Sequence, residues 1–299
     1  MSEPAACGPV SLVCGEYTLA VLPQCGGAVA GLSFGGVQVL RRVPAGIEEP
    51  LASAGFPLVP FANRIAHGRF EWAGRTVQLE RNAPGQAHPL HGQGWRHPWA
   101  VESRSSCALA LVYEHAPGEW PWRYGARQVF TLDEDGLRVQ LSVVNRAEAP
   151  MPAGLGWHPY FHRSARMRLR TEVRHVWLTD EDCLPRQCAP ATHFDLGRGE
   201  TGLASGPLID HCFGGWSGRA ELDWPEAGLC VRLTAASPLG WLHVFVPPGE
   251  EFLCLEPVSH MPDALNRSEP PEVTGLRVLA PGETLAAEVH LAVARGSCG

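Results

Sequence analysis

Residues 128–145 read Gln128-Val-Phe-Thr-Leu-Asp-Glu-Asp-Gly-Leu-Arg-Val-Gln-Leu-Ser-Val-Val-Asn145. From Leu137 onward, Leu and Val alternate with Arg, Gln and Ser, the period of two that puts one face of a strand in a core and the other in water. Asp133-Glu-Asp-Gly136 separates this run from Gln128–Leu132, so the two runs are expected to close as a hairpin. Arg69–Trp72 and Arg75–Glu80, joined by Ala73-Gly74, repeat the pattern, and Met167–Arg174 alternates strictly. Similar short runs fall at 16–22, 29–34, 37–43, 108–114, 219–224, 229–235, 241–247, 251–258, 276–280 and 285–294.

Gly and Pro together supply 60 residues, so long helices are not expected. Many short strands joined by Gly/Pro turns predict an all-β fold, a large antiparallel β-sandwich. No low-complexity linker and no internal repeat divides the chain, so residues 1–299 read as one domain.

The chain has 299 residues and a net charge of −7, without long runs of one sign. No basic stripe points to nucleic acid, and no apolar segment of about 20 residues points to a membrane. The N-terminal Met1–Gly8 lacks the cationic and apolar regions of a signal peptide, so a cytoplasmic protein is expected. All 24 basic residues are Arg, which excludes Schiff-base, pyridoxal phosphate and P-loop lysine chemistry. Most of the ten cysteines sit in apolar strand-like runs and are expected to be free thiols. Cys183 and Cys188 form the one close pair, too little for a zinc site. The 13 histidines give no convincing ligand set either. His88 and His91 have odd spacing, and Pro159 interrupts the pairing of His158 with His162.

Five stretches set polar groups in apolar or turn-rich surroundings: Phe61–Phe70, Pro89–Gly92, Gly156–Phe161, Leu208–Phe213 and Leu253–Asn266. Glu256 interrupts Phe252–Leu255 and precedes Pro257. A carboxylate there is either paired, with Arg64 the candidate partner, or raised in pKa and available as a base. His158 has a similar ambiguity between core hydrogen-bonder and catalytic group. His91 could be a turn residue, and Asp210 a cap.

In this order the motifs Asn-Arg-Ile…Gly-x-Phe, Leu-His-Gly, Gly-x-His-Pro-Tyr-Phe, Ile-Asp…Phe and Leu-Glu-Pro…Pro-Asp-Ala-x-Asn resemble the aldose 1-epimerase, or galactose mutarotase, family over residues 57–266. The resemblance implies that family's large sandwich and a cofactor-independent interconversion of sugar anomers. It implies Glu256 as general base, His158 as general acid and His91 as a second active-site histidine. Arg64, Asn63 and Asp210 would bind sugar hydroxyls, with His243 where the family often has Gln. Trp157, Phe161, Phe213 and Trp95 are expected as an apolar wall. No metal or cofactor is implied, and the partner is a small monosaccharide. Galactose mutarotases usually carry Gln shortly after the base. Here the run is Glu256-Pro-Val-Ser-His260, closer to a divergent bacterial branch. The alternatives are a hexose-6-phosphate 1-epimerase, using Arg69, Arg81, Arg96 or Arg267 on the phosphate, and a sugar-binding regulatory protein without turnover.

Overall fold

In the computed structural model, which describes residues 8–44, 46–193 and 207–298, the hairpin forms with Asp133 opposite Gly136 and Leu132 opposite Leu137. Asp133 Oδ1 accepts from the backbone N–H groups of Asp135 (2.9 Å) and Gly136 (3.1 Å), which fixes the turn. Leu137, Val139, Leu141 and Val143 are buried, as the alternation requires.

In chain order the strands begin with β1 (Val10–Cys14), β2 (Tyr17–Leu22), β3 (Ala28–Phe34), β4 (Val37–Gln38) and β5 (Gly55–Leu58). The ribbon β6 (Arg69–Trp72) and β7 (Arg75–Gln78) follows, then β8 (Ala100–Arg104), β9 (Ala108–His115), β10 (Tyr124–Asp133) and β11 (Gly136–Asn145). Next come β12 (Met151–Ala153), β13 (Gly156–His162), β14 (Arg168–Thr171), β15 (His175–Thr179), β16 (Pro185–Pro190) and β17 (Ile209–Gly214). The last are β18 (Arg219–Trp224), β19 (Leu229–Ala235), β20 (Trp241–Val246), β21 (Phe252–Val258), β22 (Arg277–Leu279) and β23 (Thr284–Arg295).

Eleven strands make one antiparallel sheet in the order β1-β2-β3-β5-β13-β21-β20-β17-β15-β16, with β4 beside β3. Eight make a second, β14-β18-β19-β23-β11-β10-β9-β8, and β12 pairs β22 separately. The fold is the expected all-β sandwich of large antiparallel sheets. One apolar cluster joins Leu169, Leu222, Leu291 and Phe130 of the smaller sheet to Leu19, Phe161, Phe213 and Leu255 of the larger. A second cluster, with Phe56, Tyr160, Trp177, Cys212 and Cys254, uses the alternate positions of the large sheet and so covers its far face.

Three expectations need correction. The run 37–43 supplies only the two residues of β4, because Arg41 leaves the sheet edge to bond the carbonyls of Leu51 and Ser53. The run 167–174 pairs only over Arg168–Thr171. Not all the cysteines are free: Cys230 and Cys298 form a disulfide across 68 positions. Beyond β23 the chain turns back along β19, where Gly296 N–H bonds Gly228 O, and this brings Cys298 to Cys230. Cys25, Cys212 and Cys254 are free and buried. Cys7 and the segment Met1–Cys7 lie outside the described residues.

Candidate active site

The sequence Gly156-Trp-His-Pro-Tyr-Phe forms β13, paired to β5 on one side and β21 on the other. Alternation sends Trp157 and Phe161 into the core between the sheets and His158 and Tyr160 to the far face. A Cβ at Gly156 would stand 2.8 Å from Val258 Cγ1 and 2.9 Å from Leu58 Cδ1, so Gly lets three strands close up beside the histidine.

The same rule applied to β21, β20 and β17 brings Glu256, His243 and Asp210 to this face, since His243 pairs with Glu256 in register and with Cys212 on the other side. His158, Glu256, His243, Asp210, His91 and Asn63 are all buried. His158 Nε2 lies 3.3 Å from Glu256 Oε1. His158 Nδ1 and Glu256 Oε2 have no hydrogen-bond partner among the described residues, although both are buried. Burial raises the Glu256 carboxyl to about 7, with Asp210 adding to the rise and His243 and Arg64 opposing it. Burial also pushes His158 well below its ordinary value, helped by His91, His243 and Arg41. At 3.3 Å the two groups are close enough for their titrations to belong to the pair.

Arg64 does not pair with Glu256. Its Nη2 donates to Asp210 Oδ2 and to Gln86 Oε1, each at 3.3 Å, while its Nη1 donates to Asn63 Oδ1 (3.3 Å). His243 Nε2 donates to Asp210 Oδ1 at 2.7 Å. Burial opposes charge on His243, but Glu256 and Asp210 outweigh it and raise its pKa. Asp210 is lowered despite its burial, by His243, Arg64 and the Cys183 thiol. The acid at position 210 is thus held as an anion that accepts from both Arg64 and His243.

Asn63 and His91 both have left-handed backbone, φ 58° in each case. Asn63 N–H donates to His91 Nδ1 (3.0 Å) and His91 N–H donates to Asn63 O (2.9 Å). Burial, Arg64 and His243 keep the His91 imidazole neutral, and the Nδ1 contact leaves its proton on Nε2. Gly92 has φ 70°, and a Cβ there would fall 2.3 Å from Val59 O, which explains the Gly of Leu-His-Gly.

All seven expected residues therefore meet in one place. The Pro262-Asp263-Ala-x-Asn266 motif is scaffolding beside them. Asp263 Oδ1 accepts from Ala66 N–H (2.8 Å), and Asp263 N–H donates to Arg64 O (2.8 Å). His260, whose Nε2 accepts from Ala62 N–H (3.0 Å), braces the same segment, and burial lowers it to about 4.

The expected apolar wall is corrected. Trp157, Phe161 and Phe213 face the inter-sheet core, and Trp95 alone of the four reaches the site side. The aromatic side chains on the site side are Phe56, Tyr160, Trp95 and Trp177. Phe56 meets His158 at 4.6 Å and Trp95 at 5.3 Å between ring centroids, and Tyr160 stacks on His158 at 4.7 Å and 14°. Gln86 and Cys183 are further contacts that the sequence reading missed. The alternation on β13 was the signal for Tyr160; nothing in sequence joins Gln86 to Arg64. Among the described residues, no group of three or more His, Cys, Asp and Glu is placed to hold a metal ion.

A large antiparallel sandwich with this set of residues on one sheet face defines a protein of the galactose mutarotase-like class. The chain belongs to the aldose 1-epimerase family, whose model matches residues 10–292. It is 37% identical over 245 residues to the Escherichia coli K12 protein "Uncharacterized protein YphB", covering 80% of this chain and 83% of that one. A solved Escherichia coli K12 structure, described as a "Putative aldose 1-epimerase", superposes with a TM-score of 0.88 at 34% identity, covering 96% of this chain and 99% of that one. A galactose mutarotase-like protein from Clostridium acetobutylicum shares the fold, with a TM-score of 0.87 at 19% identity over 96% and 95% of the two chains.

Proposed function

We propose that this protein interconverts the α and β anomers of a free aldose, with Glu256 as general base and His158 as general acid. The observation that carries the reading is the 3.3 Å apposition of His158 and Glu256, each with a second polar atom left unpartnered. The C1 hydroxyl gives its proton to Glu256, while the ring oxygen takes one from His158. The bond between C1 and the ring oxygen breaks, the aldehyde turns about C1–C2, and closure on the other face returns both protons. Each positioned transfer contributes roughly 10²–10⁴-fold.

His91 Nε2–H is a fixed donor for the ring oxygen or its neighbour. Arg64, Asn63, Asp210 and His243 form the hydroxyl-binding side, and the fully buried Phe56 and Trp95 pack behind the imidazoles of His158 and His91. A phosphorylated hexose would need free arginines at one end of the site. Of the four candidate arginines, Arg69, Arg96 and Arg267 pair with Glu71, Glu49 and Glu269, whereas Arg81 forms no ion pair among the described residues.

Anomeric exchange followed by NMR on glucose, galactose, xylose, arabinose, fucose and glucose 6-phosphate tests the reading. Acceleration of a free sugar that disappears in Glu256→Gln supports it. Acceleration of the phosphate alone, or binding without any acceleration, overturns it.

A further inference from the structure

Arg41 follows β4, and its backbone N–H donates to Tyr160 O at 2.8 Å. Its side chain then folds over the same residue, with Cζ 3.6 Å from the Tyr160 ring centroid and 4.7 Å from that of Phe252. The guanidinium is fixed there by two carbonyls: Nε donates to Ser53 O (2.6 Å) and Nη2 to Leu51 O. Among the described residues, no carboxylate forms an ion pair with it; Glu250 acts on it only from a distance. An arginine stays charged under these conditions.

The arrangement continues inward as a stack. Tyr160 lies against His158, 4.7 Å away and 14° from parallel, and Phe56 covers the imidazole from its own side at 4.6 Å. The ionisable groups acting on the imidazole are Glu256 from β21, His243 from β20, His91 from the loop after β7, and Arg41 from behind the ring. His91 is neutral, and Tyr160 is held uncharged by burial. Glu256 and His243 belong to the hydrogen-bonded site itself. Arg41 is a fixed cation that makes no hydrogen bond or ion pair to either member of the pair.

We propose that Arg41 is a positioning residue for the acid–base pair, holding Tyr160 flat against His158 and setting an uncompensated positive charge behind that ring. The ring restricts the imidazole to one orientation, and the charge makes its proton easier to release to the sugar. This rests on His158 being the acid. Nothing in the five motifs contains Arg41, so the role arises from the path of the chain after β4.

The test is kcat/KM for anomer exchange against pH in the wild type, Arg41→Lys, Arg41→Gln and Arg41→Met. Removing a positive charge favours the protonated pair. The basic limb of Arg41→Gln is therefore expected to move to higher pH, by roughly one pH unit for a charge at this separation. Arg41→Met keeps an unbranched stem against Tyr160 and carries the same expectation, while Arg41→Lys keeps the limb near its wild-type place. Lower rates with an unmoved limb in the two neutral variants would leave Arg41 a merely structural role and overturn the proposal. Equal movement in all three variants would overturn it too, since charge would not be the cause. His158→Asn is run alongside: wild-type turnover there defeats the acid–base reading itself, whereas an inactive His158→Asn with an unmoved Arg41 limb defeats only this inference.

Discussion

Glu256 and His158 stand directly opposite each other on neighbouring strands, although no ladder bridge joins them. The unshifted β13–β21 register, Gly156 against Val258 and Tyr160 against Cys254, sets His158 across from Glu256, with β13 bridged over 157–159 to β5 alone and His243 flanking Glu256 from β20. The two side chains meet across that interval with Nε2 and Oε1 at 3.3 Å. The site is thus built where strand pairing loosens at Pro159, which has no N–H to give the sheet.

The first prediction concerns this pair. Glu256→Gln and His158→Asn are each expected to lower kcat by roughly 10²–10⁴-fold without loss of fold. The double variant should cost little more than the worse single one, because the two groups act as a unit. Near-normal turnover by either soluble single variant would remove that residue's role.

The second concerns pH. The reactive state holds one proton on the pair. Above about 7, where Glu256 titrates, the pair loses that proton and nothing is left to protonate the ring oxygen. At low pH a second proton loads the pair and removes the base. A bell-shaped kcat/KM is expected, with its basic limb near 7 and its acid limb well below the ordinary histidine value. A flat profile from pH 5 to 9 would contradict it.

Much of the scaffold is legible in sequence, and the reason is periodicity. Leu137–Asn145 alternates because one face is core and the other is wet. Where both faces of a strand are covered the alternation vanishes. Gly156–Phe161 packs Trp157 inward and His158 outward, and both are buried, so a chain of apolar and aromatic residues hides a strand. Leu253–Val258 has the same character, yet its length and the single carboxylate reveal its end. Six of the seven site residues lie in motifs that the resemblance carries, whereas Phe56 comes from a short strand with both faces covered, and Gln86 and Arg41 reach their places through loop paths that no local pattern records. The Cys230–Cys298 bond was hidden for a similar reason, since a spacing of 68 carries no local signal.

The third prediction is a stability cost of the buried carboxylate proposed as the base. In the unfolded chain Glu256 titrates near 4.5, and in the fold near 7. Below 4.5 both states hold the proton and no penalty exists. The penalty grows between 4.5 and 7 and is complete above 7, where the fold must keep a buried carboxylate. The difference corresponds to about 3 kcal/mol, reduced by whatever support His243 loses when its anionic neighbour is removed. Glu256→Gln is therefore expected to be more stable than the wild type in urea at pH 8, with the advantage shrinking toward pH 5. Equal midpoints at pH 8 would show that the carboxylate is better solvated than its burial implies.

The last prediction follows from the C-terminus. After β23, Gly296 N–H donates to Gly228 O and Cys298 N–H to Asp223 Oδ1 at 3.3 Å. The disulfide closes a loop of 68 positions that contains β20 and β21, and with them His243 and Glu256. Closing a loop of that length restricts the unfolded chain by about 4 kcal/mol in the chain-entropy account, and measured effects run to about 2–4. Cys298→Ser is expected to lower the urea midpoint by a corresponding amount while leaving kcat unchanged, since neither sulfur is near the site. A non-reduced peptide map should contain a fragment joining Cys230 to Cys298, which separates on reduction. If that fragment is missing and Cys298→Ser unfolds with the wild type, the bond does not form in solution and the tail owes its place to the backbone contacts alone.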